Sequence, residues 1–313
     1  MTSTPQITPS SWIMIALLGV TWGGTFMVME IALRGITPFW LASGRIGFAA
    51  VLLTLIWGMR GFALFETKPD RAALTALILV GLLSTAVPFM LLSWGQQYVT
   101  SGFTGVSMAA IALMVLPLAH FFVPGERMTL RRAIGMCIGF VGVYMLIGGT
   151  ALESSGIDRE WAGRLAVLLA TLCYAVSSII VRRLPPIDSM GLAATLLLIG
   201  CVMVFPAALI TEGLPPAISR ETLFWVALLG LVPTAAANLL RVVVIRTAGP
   251  VFMSLVNYQV PIWSVIFGAW ILSEDLPPSL FSALVLILFG VGLSQYGALK
   301  RLFFTRFASK MTP

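Results

Sequence analysis

Charge is what this sequence has least of. Asp, Glu, Lys and Arg make up 10% of its 313 residues, against about 25% in an average soluble domain. Histidine occurs once, at His120, and cysteine three times, at Cys137, Cys173 and Cys201, each inside an apolar run. Those counts leave no disulfide framework and no paired metal-ligand spacing, so the cysteines read as small buried hydrophobes. No Asp or Glu falls near the middle of any apolar run. A proton-driven carrier often buries a carboxylate there, and this chain offers none. Strand-like alternation is missing too, which excludes a membrane barrel in favour of helices.

What is present is apolar: 59% of the residues are hydrophobic. A water-soluble core cannot hide that much apolar surface, so the chain is an all-α integral membrane protein with the lipid bilayer as a partner. A spanning helix needs about 20 mostly apolar residues. Ten runs qualify, at 12–33, 38–58, 72–98, 103–123, 129–149, 161–181, 189–211, 222–247, 251–272 and 277–299. Prolines including Pro38, Pro124, Pro185, Pro215, Pro250 and Pro277 mark the breaks. The first run has no Lys or Arg before it and no small-residue cleavage site after it, so it reads as a retained span, not a signal peptide.

The formal charge of +7 does not point to nucleic acid, because the basic residues sit between apolar runs. Thirteen of the nineteen fall on one side if the N-terminus is cytoplasmic: Arg60, Lys68, Arg71, Arg127, Arg131, Arg132, Arg182, Arg183, Arg246, Lys300, Arg301, Arg306 and Lys310. Arg34, Arg159, Arg164 and Arg220 fall on the other, while Arg45 and Arg241 lie within spans. The positive-inside bias then puts both termini in the cytoplasm.

The chain repeats itself. GERMTLRRAIGMCIGFVGVYML (125–146) resembles SEDLPPSLFSALVLILFGVGLS (273–294), with Glu126 over Glu274 and Gly142 over Gly290. LVGLLSTAVPF (79–89) resembles LLGLVPTAAAN (228–238), with Gly81 over Gly230, and Trp22 falls opposite Tyr174. The unit holds five spans, an odd number, so its second copy crosses the membrane upside down. Inverted repeats of this kind characterise secondary transporters, whose substrates bind near the midplane while the halves rock. The organisation expected is a tail at 1–11, a first five-helix repeat at 12–149, a connection at 150–160, an inverted repeat at 161–299 and a basic tail at 300–313.

GVTWGGTF (19–26), Arg45 in SGRIGFAA, the proline-then-glutamate pattern closing the fourth span and the glycines Gly135, Gly139 and Gly142 of the fifth recur in this order and in inverted form. Together they resemble the ten-helix branch of the drug/metabolite transporter superfamily, the EamA-type permeases. The resemblance covers nearly the whole chain. One departure is that Pro261 precedes Glu274 by thirteen residues, whereas Pro117 precedes Glu126 by nine. The resemblance implies two inverted five-helix repeats around a central cavity and a carrier without cofactor or catalysis. Within the branch the chain is most similar to bacterial amino acid exporters, those for aromatic amino acids included. Other readings are a multidrug or other metabolite permease of the same fold and, from different classes, a pore, a receptor or a membrane enzyme. The last lacks a nucleophile–base pair or a metal cluster.

Candidate substrate contacts are Trp22, Gly23, Ser84, Ser107, Met108, Tyr174, Asn238, Asn257 and Tyr258. Trp22 and Tyr174 would be paired aromatic walls, or simply packing residues. Asn257, Pro261 and Ser264 share one face of the ninth span. Pro261 cannot donate to the carbonyl of Asn257, so that face should meet protein or a wet cavity. Interhelical hydrogen bonding is the plainer alternative. Pro88, Pro261, Arg45, Glu30, Glu126 and Glu274 are candidates for gating or structure. Glu30 reads as a partner for Arg34 or Arg45, and Arg45 or Arg241 as a contact for a substrate carboxylate. His120 reads as a helix-end residue or a proton sensor. The partner is a small molecule, with no nucleic acid and a monomer the plain assembly.

Overall fold

The computed structural model describes residues 7–123, 125–148 and 159–309. Most of the 150–160 connection, Pro124 and the extremes of both tails therefore lie outside the described residues. Ten helical spans follow one another: α1 (Pro9–Leu33), α2 (Pro38–Met59), α3 (Arg71–Gly95), α4 (Ser101–Phe122), α5 (Leu130–Gly148), α6 (Glu160–Val181), α7 (Ser189–Glu212), α8 (Arg220–Ala248), α9 (Val256–Ile271) and α10 (Pro278–Ser309). Eight helices are long and apolar enough to cross a membrane, as judged over the described residues. Of the remaining two, α9 is short, but the single turn Pro250–Met253 extends it. α10 runs on through much of the basic tail expected after residue 299.

Local chemistry sets the helix starts. Thr8 and Ser11 cap α1 reciprocally, and the side chains of Asp70, Thr100, Asp188 and Ser219 accept backbone N–H groups at the starts of α3, α4, α7 and α8. Each satisfies a donor that has no partner within its own helix. Pro38 opens α2, where the missing N–H costs nothing. Outside, the bundle is apolar: Val51, Leu55, Val141, Val202, Ile210 and Val285 all point outward. Helices that are apolar on every face suit lipid, not water.

The packing repeats when each helix of α1–α5 is exchanged for its counterpart in α6–α10. α1 lies against α8 and α9 as α6 lies against α3 and α4, and α2 packs on α7, α4 on α9 and α5 on α10. Five spans separate counterparts, so the copies run in opposite directions. Two buried clusters form the core. One joins α1, α4, α5, α6, α8, α9 and α10 with Leu41 of α2 and Leu92 of α3, the other α2, α3, α7 and α8, and Tyr174 of α6 touches both.

Glycine sets the closest approaches. Gly19 and Gly23 of α1 meet Gln259, Val260 and Trp263 of α9, and a Cβ at Gly19 would stand 2.5 Å from Gln259 Oε1. In α5 and α10 backbones touch directly, since a Cβ at Gly290 would stand 2.5 Å from the Gly135 carbonyl and 2.6 Å from the Gly139 nitrogen. Small residues spaced by four are the usual means of bringing membrane helices together.

Candidate functional site

Both central helices of the second packing group break in the same way. α3 widens into a π-helical segment at Leu82–Ala86, immediately after Gly81. α8 does so at Gly230–Ala236, beginning at Gly230. These are the glycines that the internal repeat aligns. A π segment shifts the backbone ladder by one residue and tends to mark functional positions. Its displaced carbonyls need donors, and here side chains provide them. Trp22 Nε1 donates to the Pro233 carbonyl at 2.9 Å, and Asn238 Nδ2 to that of Thr234 at 2.5 Å. Thr234 Oγ1 donates to the Leu229 carbonyl at 2.8 Å and accepts from Arg45 Nε at 2.8 Å.

Arg45 is 7% exposed, and its guanidinium lies 4.2 Å from the centre of the Phe89 ring. A buried guanidinium demands such partners, because an uncompensated charge is expensive at this depth. Of Arg34 and Arg45, the two cations expected beside Glu30, Arg34 is the one that acts on it and Arg45 is not. Arg45 points to Thr234 and Phe89, while Glu30 lies near the far end of α1 beside Gln96. The tie to α8 draws Arg45 away from α1. At the spacing that sets Gly81 over Gly230, Arg45 falls opposite Ala194, so the charge is one-sided.

The α8 segment gathers Trp22, Arg45 and Asn238, Arg45 reaches α3 at Phe89, Ser84 and Pro88 lie in and just after the α3 segment, and Tyr174 packs on both cores. Ser84 Oγ lies 3.5 Å from Thr85 Oγ1, and Pro88 is buried in the turn after the π segment. Other candidates lie elsewhere. Gly23 is taken up by the α1–α9 crossing. Ser107 is buried and donates to its own helix at Phe103 O, 2.9 Å away. Met108 packs on the larger core.

On α9 the polar face divides. Pro261 and Ser264 are buried, and Ser264 Oγ donates to the Ser101 carbonyl of α4 at 2.8 Å. Asn257 is exposed, whereas the Tyr258 hydroxyl is buried with no partner among the described residues. Arg241 is exposed. His120 Nδ1 accepts from the Met128 N–H at 3.2 Å, the helix-end role.

The glutamates of the repeat behave differently. Glu274 Oε1 accepts from the Ser101 N–H at 2.7 Å and Oε2 from the Gly102 N–H at 3.1 Å, so the end of α9 caps the start of α4. Ser273, with φ of 55°, turns the chain to make this reach possible. Glu126 instead meets Arg132 at 3.1 Å and Arg182 at 3.8 Å, both partly exposed. Sequence supplies the reason: Gly102 corresponds to Pro250 at the Glu126–Glu274 spacing, and proline has no N–H to give. A similar cap joins α7 to α2, where Glu212 accepts from Thr37 Oγ1 at 2.6 Å and from the N–H groups of Phe39 and Trp40 at 2.9 and 3.1 Å.

A cavity of about 540 Å³ opens at the end of the bundle that carries Glu274. It is bounded by α1, the α3–α4 connection and the starts of α4, α6 and α10. Neither the π segments nor the Glu274 cap was predicted. Only the alignment of Gly81 with Gly230 hints at the former.

Comparison with known proteins fits this architecture. The profile of the EamA-like transporter family matches twice, over residues 10–148 and 161–295. The chain is 26% identical over 289 residues to a protein of Bacillus subtilis named "Uncharacterized transporter YoaV", covering 91% of this chain and 97% of that one. It is 28% identical over 294 residues to the "Uncharacterized inner membrane transporter YedA" of Escherichia coli K12, covering 93% and 92%. One crystal structure superimposes with a TM-score of 0.64 at 16% identity, over 94% of this chain and 99% of that one, a likeness of fold.

Proposed function

The chain belongs to the EamA-like transporter family, and on that premise we propose that it is a secondary carrier exporting amino acids, aromatic and other neutral ones among them, or similar small metabolites by alternating access. It would act in the bacterial cytoplasmic membrane with both termini in the cytoplasm. The name of the Escherichia coli relative supports that membrane, and the distribution of Lys and Arg supports the orientation. The single observation that carries the reading is the pair of mirrored π segments. Irregular backbone at membrane depth is tolerated only against protein or a wet path, and broken helices facing each other across inverted repeats are where carriers bind substrate.

Trp22 and Tyr174 would flank an apolar side chain, Arg45 would take a carboxylate, and Asn238 and Ser84 would supply neutral hydrogen bonds. Substrate would displace Arg45 from Thr234, so part of its binding energy goes into rearrangement. Asn257 and Tyr258 would line the route at the other end of α9. A multidrug or other metabolite permease would share the fold but not this pairing of one cation with two aromatic rings. Reconstituted vesicles test the proposal. Saturable uptake of labelled phenylalanine, accelerated by unlabelled phenylalanine on the opposite side, supports a carrier. Flux linear in concentration supports a pore, and absence of amino acid flux removes the substrate class.

A further inference from the structure

The end cavity holds two oxygen atoms that the fold leaves wanting. Gln96 is 2% exposed and lines the cavity, yet its Oε1 has no hydrogen-bond partner among the described residues. Its orientation is fixed, because Nε2 donates to the Phe26 carbonyl at 2.5 Å. Exchanging the amide atoms would set oxygen against oxygen. Glu30 also lines the cavity, and its Oε2 is buried without a partner among the described residues. A buried acceptor without a donor is costly, and such groups in native folds call for an explanation.

The surroundings say what kind of donor is missing. The lining carries Glu30, Glu160, Glu274 and Asp275 against Arg164 as its one cationic side chain. Arg164 is ion-paired with Glu160, and Glu274 is engaged at the start of α4. Gln96 and Arg34 act on the Glu30 carboxyl group, yet Glu274 and Asp275 keep the remaining balance negative, next to two oxygen atoms without donors, Gln96 Oε1 and Glu30 Oε2. Phe103, Leu146, Leu276 and Leu280 form an apolar wall. A volume of about 540 Å³ suits a small organic molecule.

We propose that this cavity binds the ammonium group of a small amphiphilic amine, with Gln96 Oε1 and the Glu30 carboxylate as acceptors and its apolar part against Phe103 and Leu280. The ammonium can belong to a simple amine or to an amino acid. This goes beyond the carrier reading, since binding here stands or falls without any flux.

Calorimetric titration of the purified full chain in detergent tests it, with phenethylammonium chloride, 3-phenylpropionate, L-phenylalanine and sodium chloride as probes. Phenethylammonium should bind, and Glu30→Gln should weaken it by roughly tenfold or more, as loss of a hydrogen bond to a charged group does. Ser279→Trp, which adds bulk to the cavity lining and removes no carboxylate, should also weaken binding, so the site remains testable if Glu30→Gln fails to fold. L-Phenylalanine binding with the same dependence on Glu30 assigns the ammonium to amino acids, and its failure to bind assigns it to simple amines. Unchanged affinity in Glu30→Gln, equal binding of 3-phenylpropionate, or a response to sodium without one to phenethylammonium would overturn the proposal.

Discussion

At Trp22 one side chain serves two ends. Its indole N–H satisfies a carbonyl that the α8 π segment displaces, and its ring occupies the place that the repeat mirrors at Tyr174. Trp22→Phe keeps an aromatic ring and removes the donor. It should lower stability by about 1 kcal/mol, read as a small fall in the thermal midpoint in detergent. Trp22→Ala also removes the ring, and the ratio of phenylalanine to alanine flux should fall; an unchanged ratio argues that Trp22 only packs. Asn257→Ala should reduce flux at equal protein level, and wild-type flux would take Asn257 off the route. Trp22 and Arg45 stood out in the sequence because indole and guanidinium are unusual so deep in an apolar run. The partner of Arg45 was not legible. Glu30 is the nearer charge in sequence, but a hydroxyl of α8 and the ring of Phe89 are nearer in space.

At the scale of helices, glycine contacts and carboxylate caps hold the bundle. A side chain at Gly290 would collide with the α5 backbone, not with a flexible side-chain end. Gly290→Leu should therefore abolish folded protein, checked by size-exclusion chromatography, whereas leucine at Gly292, which has open space around it, should be tolerated. Glu274→Gln keeps the shape of the α4 cap but removes its charge. It should cost about 1–2 kcal/mol of stability, since hydrogen bonds to charged groups are the stronger ones. Glu126→Gln, in exposed ion pairs, should cost less than about 1 kcal/mol. Equal shifts in the two thermal midpoints would contradict this distinction. Eight of the spans were legible because length and apolarity decide whether a helix can cross lipid. The caps were not, since Glu274 and Ser101 meet only through the packing of α9 on α4.

For the molecule as a whole, orientation is the most direct test. A cysteine replacing Lys68, in a chain with Cys137, Cys173 and Cys201 changed to Ala, should react with an impermeant maleimide only from the cytoplasmic face. Labelling from outside would invert the topology. The duplication was legible from aligned glycines and glutamates, but the register shift of its π segments was not, because it depends on backbone geometry that no side-chain pattern encodes. Pro250 has a wider effect. It denies α9 the cap that Glu274 gives α4, so the two ends of the α4–α9 pair differ in strength. A carrier built on perfect inversion would populate its two end states equally. In the alternating-access cycle proposed above, one joint, at about 1.5–3 kcal/mol for hydrogen bonds to a charged group, would weight that equilibrium by roughly tenfold to a hundredfold. An empty molecule would then wait on one side of its cycle, and the return step without cargo would be the slow one.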